Sequence, residues 1–438
     1  MLKVFHAFSG VDSQRMAEKR IWGGECRTIG TMEVDCDAII SSALIHEYDK
    51  FNEHYNKEWG SNQYEQAKEW LKSRNIGFDF EKGKSKLDKM SKDKLKQLYI
   101  ASVCTRNYGD ISLANKVKIK EDIDLFTFSS PCQSFSICGK QEGLNGVSGL
   151  LLECEKFIEI NKPKFLLLEN VKNLVGKRFI KDFENWLAIL DNLGYSSYWT
   201  ILNSKDFNVP QNRERVFCIS IRKDIDKGYS FPKGIGTNKC IQDILEDNVD
   251  DKYYLKQEIV KRFKIKPIGD TIVGTTAPEF RTIGQRDIVY NPNGIMGTLT
   301  ATDYKQPKQI IVIGNVDKKG WFDVEKRVYD KNGLSPTLTT NSSNSPKIVT
   351  SGKSDEVSST IIKNQELIIN TKGDINNKFT IRRLTPRECW KLMDFDDDSF
   401  DKVKDYISDS QLYKQAGNSI VVACLEYIFK NLKEQYNL

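Results

Sequence analysis

Histidine is nearly missing from this chain: 438 residues hold only His6, His46 and His54. Chemistry that needs an imidazole base or an imidazole metal ligand therefore has few places to reside. Ten cysteines are present, yet no two form a Cys-x-x-Cys pair. That spacing argues against a zinc site and against a disulfide framework, and it fits reduced thiols. No apolar run reaches the roughly 20 residues of a membrane-spanning helix, and mean hydropathy is −0.50. The N-terminal run Met1-Leu-Lys-Val-Phe-His6 opens directly into a strand-like pattern, without the basic and then apolar anatomy of a secretory leader. These absences predict a soluble, cytoplasmic protein with no membrane contact and no metal. A strong charge bias is also missing. The net charge of +6 and a pI near 8.6 permit a polyanionic partner without requiring one. The lysine-rich stretch from Lys82 to Lys96 reads as a solvated helix face.

What is present suffices for a sizeable core, with 39% hydrophobic and 11% aromatic residues. The length suits two or three domains, or one large domain with an insertion. Leu2 to Phe8 reads as a first strand, Ser9-Gly10 as a turn and Gln14 to Ile21 as a helix, which is how a nucleoside-binding α/β sheet begins. Thr28 to Val34 reads as a second strand. Glu33 stands at its tip, where a carboxylate can accept ribose hydroxyls or remain a surface charge. Residues 47–105 form a charged helical excursion with a structural role, carried by Tyr64, Ala67, Trp70 and Leu71, and again by Leu95, Leu98 and Ser102, at helical spacing.

The apolar run Leu125 to Phe128 reads as a buried strand that ends at Ser129-Ser130-Pro131. Cys132 then stands at the C-terminal tip of a strand, where open α/β sheets bind ligands. It is a candidate nucleophile, although a free cysteine is most often a small buried hydrophobe. Gln133 to Gly149 has no apolar periodicity and reads as a mobile loop, followed by a helix from Leu150 to Ile160. Lys164 to Val171 is a buried strand carrying Glu169 near its end. Alternation in Gln211-Asn-Arg213-Glu-Arg215 puts both arginines on one strand face.

From Ile225 to Phe379 the composition shifts toward Gly, Asn, Thr and Ser. A repeat appears there: Val289-Tyr-Asn-Pro-Asn-Gly-Ile-Met-Gly-Thr-Leu-Thr300 aligns with Val328-Tyr-Asp-Lys-Asn-Gly-Leu-Ser-Pro-Thr-Leu-Thr339, and Pro307-Lys308 and Pro346-Lys347 keep the same offset. A strand–turn–strand unit is the simplest account, with ordinary hairpins as its plain form. Further on, Thr385 and Glu388 predict a capping box with Pro386 at the first helical position. Ile420 to Leu432 predicts an apolar helix that returns to the first strand.

Taken in order, these motifs resemble those of the DNA (cytosine-5)-methyltransferases. They are Phe8-Ser-Gly10, Glu33, Tyr108-Gly-Asp110-Ile111, Ser130-Pro-Cys-Gln-Ser-Phe-Ser136, Glu169-Asn-Val171, Gln211-x-Arg213-x-Arg215, Arg382 to Phe395, and Gln415-Ala-Gly-Asn-Ser-Ile420. The resemblance implies an α/β, Rossmann-like S-adenosylmethionine-dependent methyltransferase fold with a mixed, mostly parallel sheet and an inserted, smaller β-rich target-recognition domain. It places the catalytic domain at 1–224 and 380–438 and the recognition domain at 225–379. It assigns Cys132 as the nucleophile toward cytosine C6 and Glu169 to N3. Arg215 is assigned to O2, and Arg213 to support of the Cys132 region. Cofactor contacts fall to Phe8, Ser9, Gly10, Val11, Glu33, Val34, Asp110, Ile111, Pro131, Leu150, Asn418 and Ser419.

Two positions depart from the family pattern. Asp12 replaces the second glycine of Phe-x-Gly-x-Gly, which puts a carboxylate where the backbone approaches the cofactor. The arginine near the end of the loop after Cys132 is replaced around Val147. The implied activity is methylation of a flipped cytosine in double-stranded DNA by a monomer, either as the modification enzyme of a restriction system whose endonuclease acts separately or as a phage-type or solitary enzyme. The alternatives are a tRNA cytosine-5 methyltransferase and a catalytically weak DNA-binding protein that keeps the fold. A thiol hydrolase would need an imidazole near Cys132, and all three histidines lie far from the strand-tip motifs in sequence.

Overall fold

The computed structural model describes residues 1–79, 82–130, 149–239, 241–253 and 384–438, together with the backbone of seven strands between 272 and 383. Pro131, Cys132, the segment to 148 and the polar loops after each repeat copy lie outside the described residues.

β1 (Leu2–Ala7) turns into α1 (Ser13–Trp22), and β2 (Cys26–Met32) leads into α2 (Cys36–His46). The excursion supplies α3 (Tyr48–Tyr55), α4 (Ser61–Lys72), the short strands β3 (Phe78–Asp79) and β4 (Lys84–Ser85), and α5 (Lys92–Cys104). The first half is completed by β5 (Leu125–Phe128), α6 (Gly149–Asn161), β6 (Phe165–Val171), α7 (Ile180–Asn192), β7 (Tyr195–Asn203) and β8 (Glu214–Arg222). The six-stranded sheet has the order β2-β1-β5-β6-β8-β7. β2, β1, β5 and β6 are parallel, and β8 runs antiparallel to both of its neighbours. This is the mixed, mostly parallel sheet expected from the motifs.

Period-two alternation in the central strands gives the sheet two apolar faces, as parallel strands covered on both sides require. Val4, Leu125, Phe165 and Leu167 belong to a layer shared with α1, α2 and α5. Phe5, Ala7, Phe126, Phe128, Leu166 and Leu168 belong to the opposite layer, with α6 and α7. The Phe157 ring of α6 lies 4.6 Å from both Phe5 and Phe126. Each such buried ring contributes about 1.5–3 kcal/mol. In the excursion, Ala67, Leu71, Leu95, Leu98 and Ser102 are buried, as their helical spacing predicts. The β3–β4 pair was not legible in the sequence.

In the second half, β9 (Ile272–Thr275), β10 (Ile288–Tyr290) and β11 (Gln309–Ile310) form one sheet. β12 (Val312–Asn315), β13 (Arg327–Asp330), β14 (Lys347–Ser351) and β15 (Phe379–Arg383) form another. The repeat is real at the level of topology, but it is not a hairpin. Val289 pairs in parallel with Gln309, and Val328 pairs in parallel with Lys347. The strand before each copy pairs antiparallel, β9 with β10 and β12 with β13. A parallel return needs a crossover longer than a two-residue turn, which accounts for the long segment between the paired strands.

The chain then forms α8 (Pro386–Lys391), α9 (Asp397–Val403), α10 (Asp409–Asn418) and α11 (Val422–Tyr436). The expected capping box is present. Thr385 Oγ1 accepts from Glu388 N at 3.1 Å, and Glu388 Oε2 accepts from Thr385 N at 2.8 Å. α11 packs on α1, with the Phe429 and Trp22 rings 5.3 Å apart and Arg20 donating to Glu426 at 2.6 Å. Both chain ends thus meet beside the sheet. Tyr229 and Ile244 are buried in the first layer too. Tyr229 donates its hydroxyl to Ile428 O of α11 at 3.3 Å and Tyr253 its hydroxyl to Asp409 Oδ2 of α10 at 2.9 Å, so these residues pack against the C-terminal helices. Among the described residues, no helix is long and apolar enough to cross a membrane.

Candidate active site

The β1–α1 turn is strained in a specific way. Phe8, Gly10 and Asp12 all have positive φ, at 53°, 56° and 66°. Left-handed non-glycine residues cost on the order of 1–3 kcal/mol each and persist where surrounding contacts hold them. Phe8 N donates to Met32 O at 2.7 Å, and Asp12 N donates to Ser9 O at 2.8 Å. Gly10 N donates to Glu33 Oε2 at 2.9 Å, which joins the first two motifs. Glu33 Oε1 also accepts from Val34 N at 2.7 Å and Asp35 N at 2.8 Å. Burial, reinforced by the neighbouring Asp35, pushes the Glu33 carboxyl above its ordinary range despite these donors.

The Asp12 carboxylate is the N-cap of α1. The left-handed backbone turns it inward, where it is fully buried and accepts from Arg15 N at 3.4 Å. A carboxylate is favoured at a helix N-terminus. His6 Nε2 lies 3.9 Å from Asp12 Oδ1 and 3.4 Å from Glu18 Oε2. Burial alone would lower the His6 pKa, but the two carboxylates outweigh it and the net shift is upward. The Asp12 pKa is raised by burial, with His6 and Arg15 opposing. His46 also reaches this loop, its Nε2 lying 3.0 Å from Asp12 O and 3.3 Å from Val11 O. Burial, with Arg15 and Lys19 nearby, holds His46 well below its ordinary pKa, so it donates as a neutral ring. His46, 34 positions beyond Asp12 in sequence, therefore meets the first motif in space, where His6 already stands beside it.

Asn107, which the sequence reading passed over, ties the second motif to the third. Its Oδ1 accepts from Glu33 N at 3.1 Å and from Gly109 N at 2.9 Å, and its Nδ2 donates to Glu33 O at 3.0 Å. Asp110 is buried and accepts from Ser112 N at 3.1 Å, Ser112 Oγ at 2.7 Å and Asn75 Nδ2 at 3.2 Å. Ile111 beside it is buried in the second layer. Val11 is buried in the first layer, and Leu150 packs at the edge of the second.

At the tips of β5 and β6 a second group assembles. Parallel pairing of Phe128 with Leu168 brings Ser129-Ser130 alongside Glu169-Asn170. Asn170 Nδ2 donates to both the carbonyl and the hydroxyl of Ser130, at 3.2 Å each. That contact clamps the chain immediately before Pro131 and Cys132. Arg215, from the antiparallel β8, places Nε 3.3 Å from Glu169 Oε1. Burial raises the Glu169 pKa, and Arg215 and Arg213 oppose the rise. Arg213 is buried at the entry to β8 and donates through Nη2 to Gly417 O at 3.0 Å and Ser419 O at 2.9 Å. It thereby fixes the α10–α11 junction, where Asn418 is exposed and Ser419 is buried.

Residues 71–434 match the family described as C-5 cytosine-specific DNA methylase. The chain is 35% identical over 436 residues to the type II methyltransferase M2.ScrFI of Lactococcus lactis subsp. cremoris, covering 99% of both chains. It is 33% identical to the orphan methyltransferase M.SPBetaI of Bacillus phage SPbeta, over 83% of this chain and 94% of that one. Among solved structures it is similar to the S. pombe Dnmt2 methyltransferase, with a TM-score of 0.55 at 14% identity and full coverage of both chains. At that identity the likeness speaks for the fold alone. With the strand-tip carboxylates and arginines of the sheet in place, the match over most of its length makes the chain a member of the C-5 cytosine-specific DNA methylase family, a DNA (cytosine-5-)-methyltransferase.

Proposed function

We propose that the protein methylates C5 of a cytosine flipped out of a specific duplex sequence, with S-adenosylmethionine as methyl donor and Cys132 as covalent nucleophile. The observation that carries this reading is the Glu169–Arg215 pair at 3.3 Å, beside the Asn170 clamp on Ser130. An acid and a cation are held together beside Ser130, two residues before Cys132 in the sequence.

The donor set at the β1–β2 end fits S-adenosylmethionine. Glu33 and Asp110 each accept three protein hydrogen bonds. That leaves each carboxylate about one further acceptor position, suited to a ribose hydroxyl and an adenine amino group. Val34 and Ile111 would flank the nucleoside, and Phe8 to Val11, Leu150 and Pro131 would line its neighbourhood. Asn418 and Ser419 would meet the amino-acid end. When bound, the group supplies an electrophilic methyl on sulfonium.

The protein's own task is to make cytosine C5 nucleophilic. The Cys132 thiolate adds to C6. Glu169, inclined by burial to keep its proton, hydrogen-bonds N3, and Arg215 holds O2, so charge developing on the ring meets fixed partners. After C5 has been methylated, a base such as water takes the C5 proton, the electron pair left behind re-forms the C5–C6 double bond, and Cys132 leaves as a thiolate. The target must leave the helix stack for the thiol to reach it. Arg213 keeps the α10–α11 junction in register with β8.

We assign target recognition to 225–379. Tyr229 and Tyr253 in its first part contact the C-terminal helices, and base reading is assigned to the polar segments that follow each repeat copy. Similarity to a type II methyltransferase along nearly the whole of both chains supports a role as the modification enzyme of a restriction system, with a separate endonuclease. Duplex DNA containing 5-fluorocytosine at the target, plus cofactor, should trap a denaturation-resistant adduct with the wild type. Cys132→Ala should give none and still bind DNA. Active enzyme without an adduct, or label on adenine or RNA, would overturn the reading.

A further inference from the structure

The excursion over 47–105 touches the nucleoside end of the site through one turn, Arg74 to Gly77. Arg74 O accepts from Asp110 N at 3.0 Å, and Gly77 N donates to Val34 O at 3.0 Å. One turn therefore grips both the segment that would hold ribose and the segment that would hold adenine. It is itself held firmly. The Arg74 guanidinium lies 3.8 Å over the Trp70 ring of α4, and Ile76 is buried in the first layer. Gly109 has φ +90°, and a Cβ there would stand 2.2 Å from Arg74 O, so the two backbones are in direct contact.

Asn75 has φ 55° and sends Nδ2 to Asp110 Oδ2 at 3.2 Å. The other two bonds to the Asp110 carboxylate come from Ser112, two residues along the same loop. Among the described residues, Asn75 is the only donor from outside that loop. A carboxylate held only by its own loop can rotate with the loop, whereas an amide on a separately anchored turn fixes it against the rest of the fold.

We propose that Asn75 is a positioning residue for adenine recognition. Its carboxamide holds the Asp110 carboxylate in the orientation that receives the adenine amino group, and the Arg74–Gly77 turn sets the spacing between the ribose and adenine segments. The excursion is then part of the cofactor site, not only a buttress of the sheet. This rests on the reading of Glu33 and Asp110 as nucleoside contacts.

The test uses the full chain with Asn75→Gly, Asn75→Asp and Asp110→Ala. Glycine keeps the left-handed backbone and deletes only the amide. Aspartate keeps the shape but turns the donor into a second carboxylate facing Asp110. Calorimetry would compare S-adenosylhomocysteine with S-inosylhomocysteine, whose base offers no exocyclic amino group, and steady-state assays would separate kcat from KM. Loss of one charge-assisted hydrogen bond predicts about tenfold weaker S-adenosylhomocysteine binding in Asn75→Gly. The KM for S-adenosylmethionine should rise alongside, with kcat within about twofold, the KM for DNA unchanged and a smaller preference for the adenine form. Asn75→Asp should be weaker still. Wild-type affinity in both Asn75 variants, with Asp110→Ala impaired, would overturn the proposal. So would a uniform fall in kcat, DNA affinity and cofactor affinity with the adenine preference intact. A wild type that does not bind S-adenosylhomocysteine, or an Asp110→Ala variant that binds it normally, would overturn the nucleoside-site reading and the proposal with it.

Discussion

Replacing Asn170 with alanine should slow methyl transfer far more than it weakens cofactor binding. The carboxamide makes two bonds to Ser130 at 3.2 Å and one from Val171 N at 2.9 Å. Asn170 and Ser130 are both buried, so water cannot readily replace the lost partner at Ser130, while Val171 lies nearer the surface. Two long neutral bonds and one ordinary one are together worth about 2–3 kcal/mol at 0.5–1.5 kcal/mol each, with the long pair at the low end. The kinetic effect should be the larger one. Ser130 stands two residues before Cys132, and a shift of about 1 Å in a reacting group can cost on the order of 10²-fold in rate. Tritium transfer from S-adenosylmethionine to duplex DNA would give kcat, calorimetry with S-adenosylhomocysteine would report the cofactor site, and urea unfolding would report stability. The expected pattern is kcat down about a hundredfold, cofactor affinity within a factor of about three, and a lowered urea midpoint. A folded Asn170→Ala protein with kcat near that of the wild type would refute the idea that this clamp positions the nucleophile.

Two further outcomes come from the buried cluster under the first motif. Asp12→Gly restores the family's usual residue, yet the Asp12 side chain faces His6 and the α1 N-terminus, so S-adenosylhomocysteine affinity should change by less than about threefold, while the urea midpoint falls because buried His6 loses one of its two carboxylate partners. A large gain in affinity would show that the carboxylate does obstruct the cofactor. The second concerns pH. The His6 and Asp12 pKa values are both raised, so the folded state holds these protons more tightly than the unfolded chain. The stability His6 supplies is full below its unfolded value of 6.5 and is lost as pH rises through the higher folded value. Urea midpoints measured upward from pH 6.5 should fall more steeply for the wild type than for His6→Gln, and parallel slopes would show that His6 does not carry the linkage.

Much of the site was legible in the chain because its chemistry sits at strand tips, and strand tips are local features. A short apolar run forms β5 and is ended by Ser129-Ser130, the latter two residues before Cys132. A second run ended by Glu-Asn-Val sets Glu169 one strand away. The capping box at Thr385 and Glu388 was readable for the same reason, since both of its bonds close within one helical turn. What escaped was carried by neutral polar residues acting across distance. Asn75, Asn107 and Asn170 look like ordinary loop or strand-end residues in sequence, but each bonds to a partner 35, 74 or 40 positions away. The repeat was visible, yet its parallel pairing was not, because similar strand patterns admit either a hairpin or a crossover.

The sequence by itself determined which residue types stand at the ends of which strands, and through their order the family. Tertiary structure decided where those side chains point. The left-handed backbone at Asp12 made its carboxylate a buried helix cap, and docking of the 47–105 excursion brought Asn75 against Asp110. The physical reason is range. Periodicity and capping arise from neighbours within a few residues, whereas the partner of a buried polar group is set only when distant segments are packed together and every donor must find an acceptor.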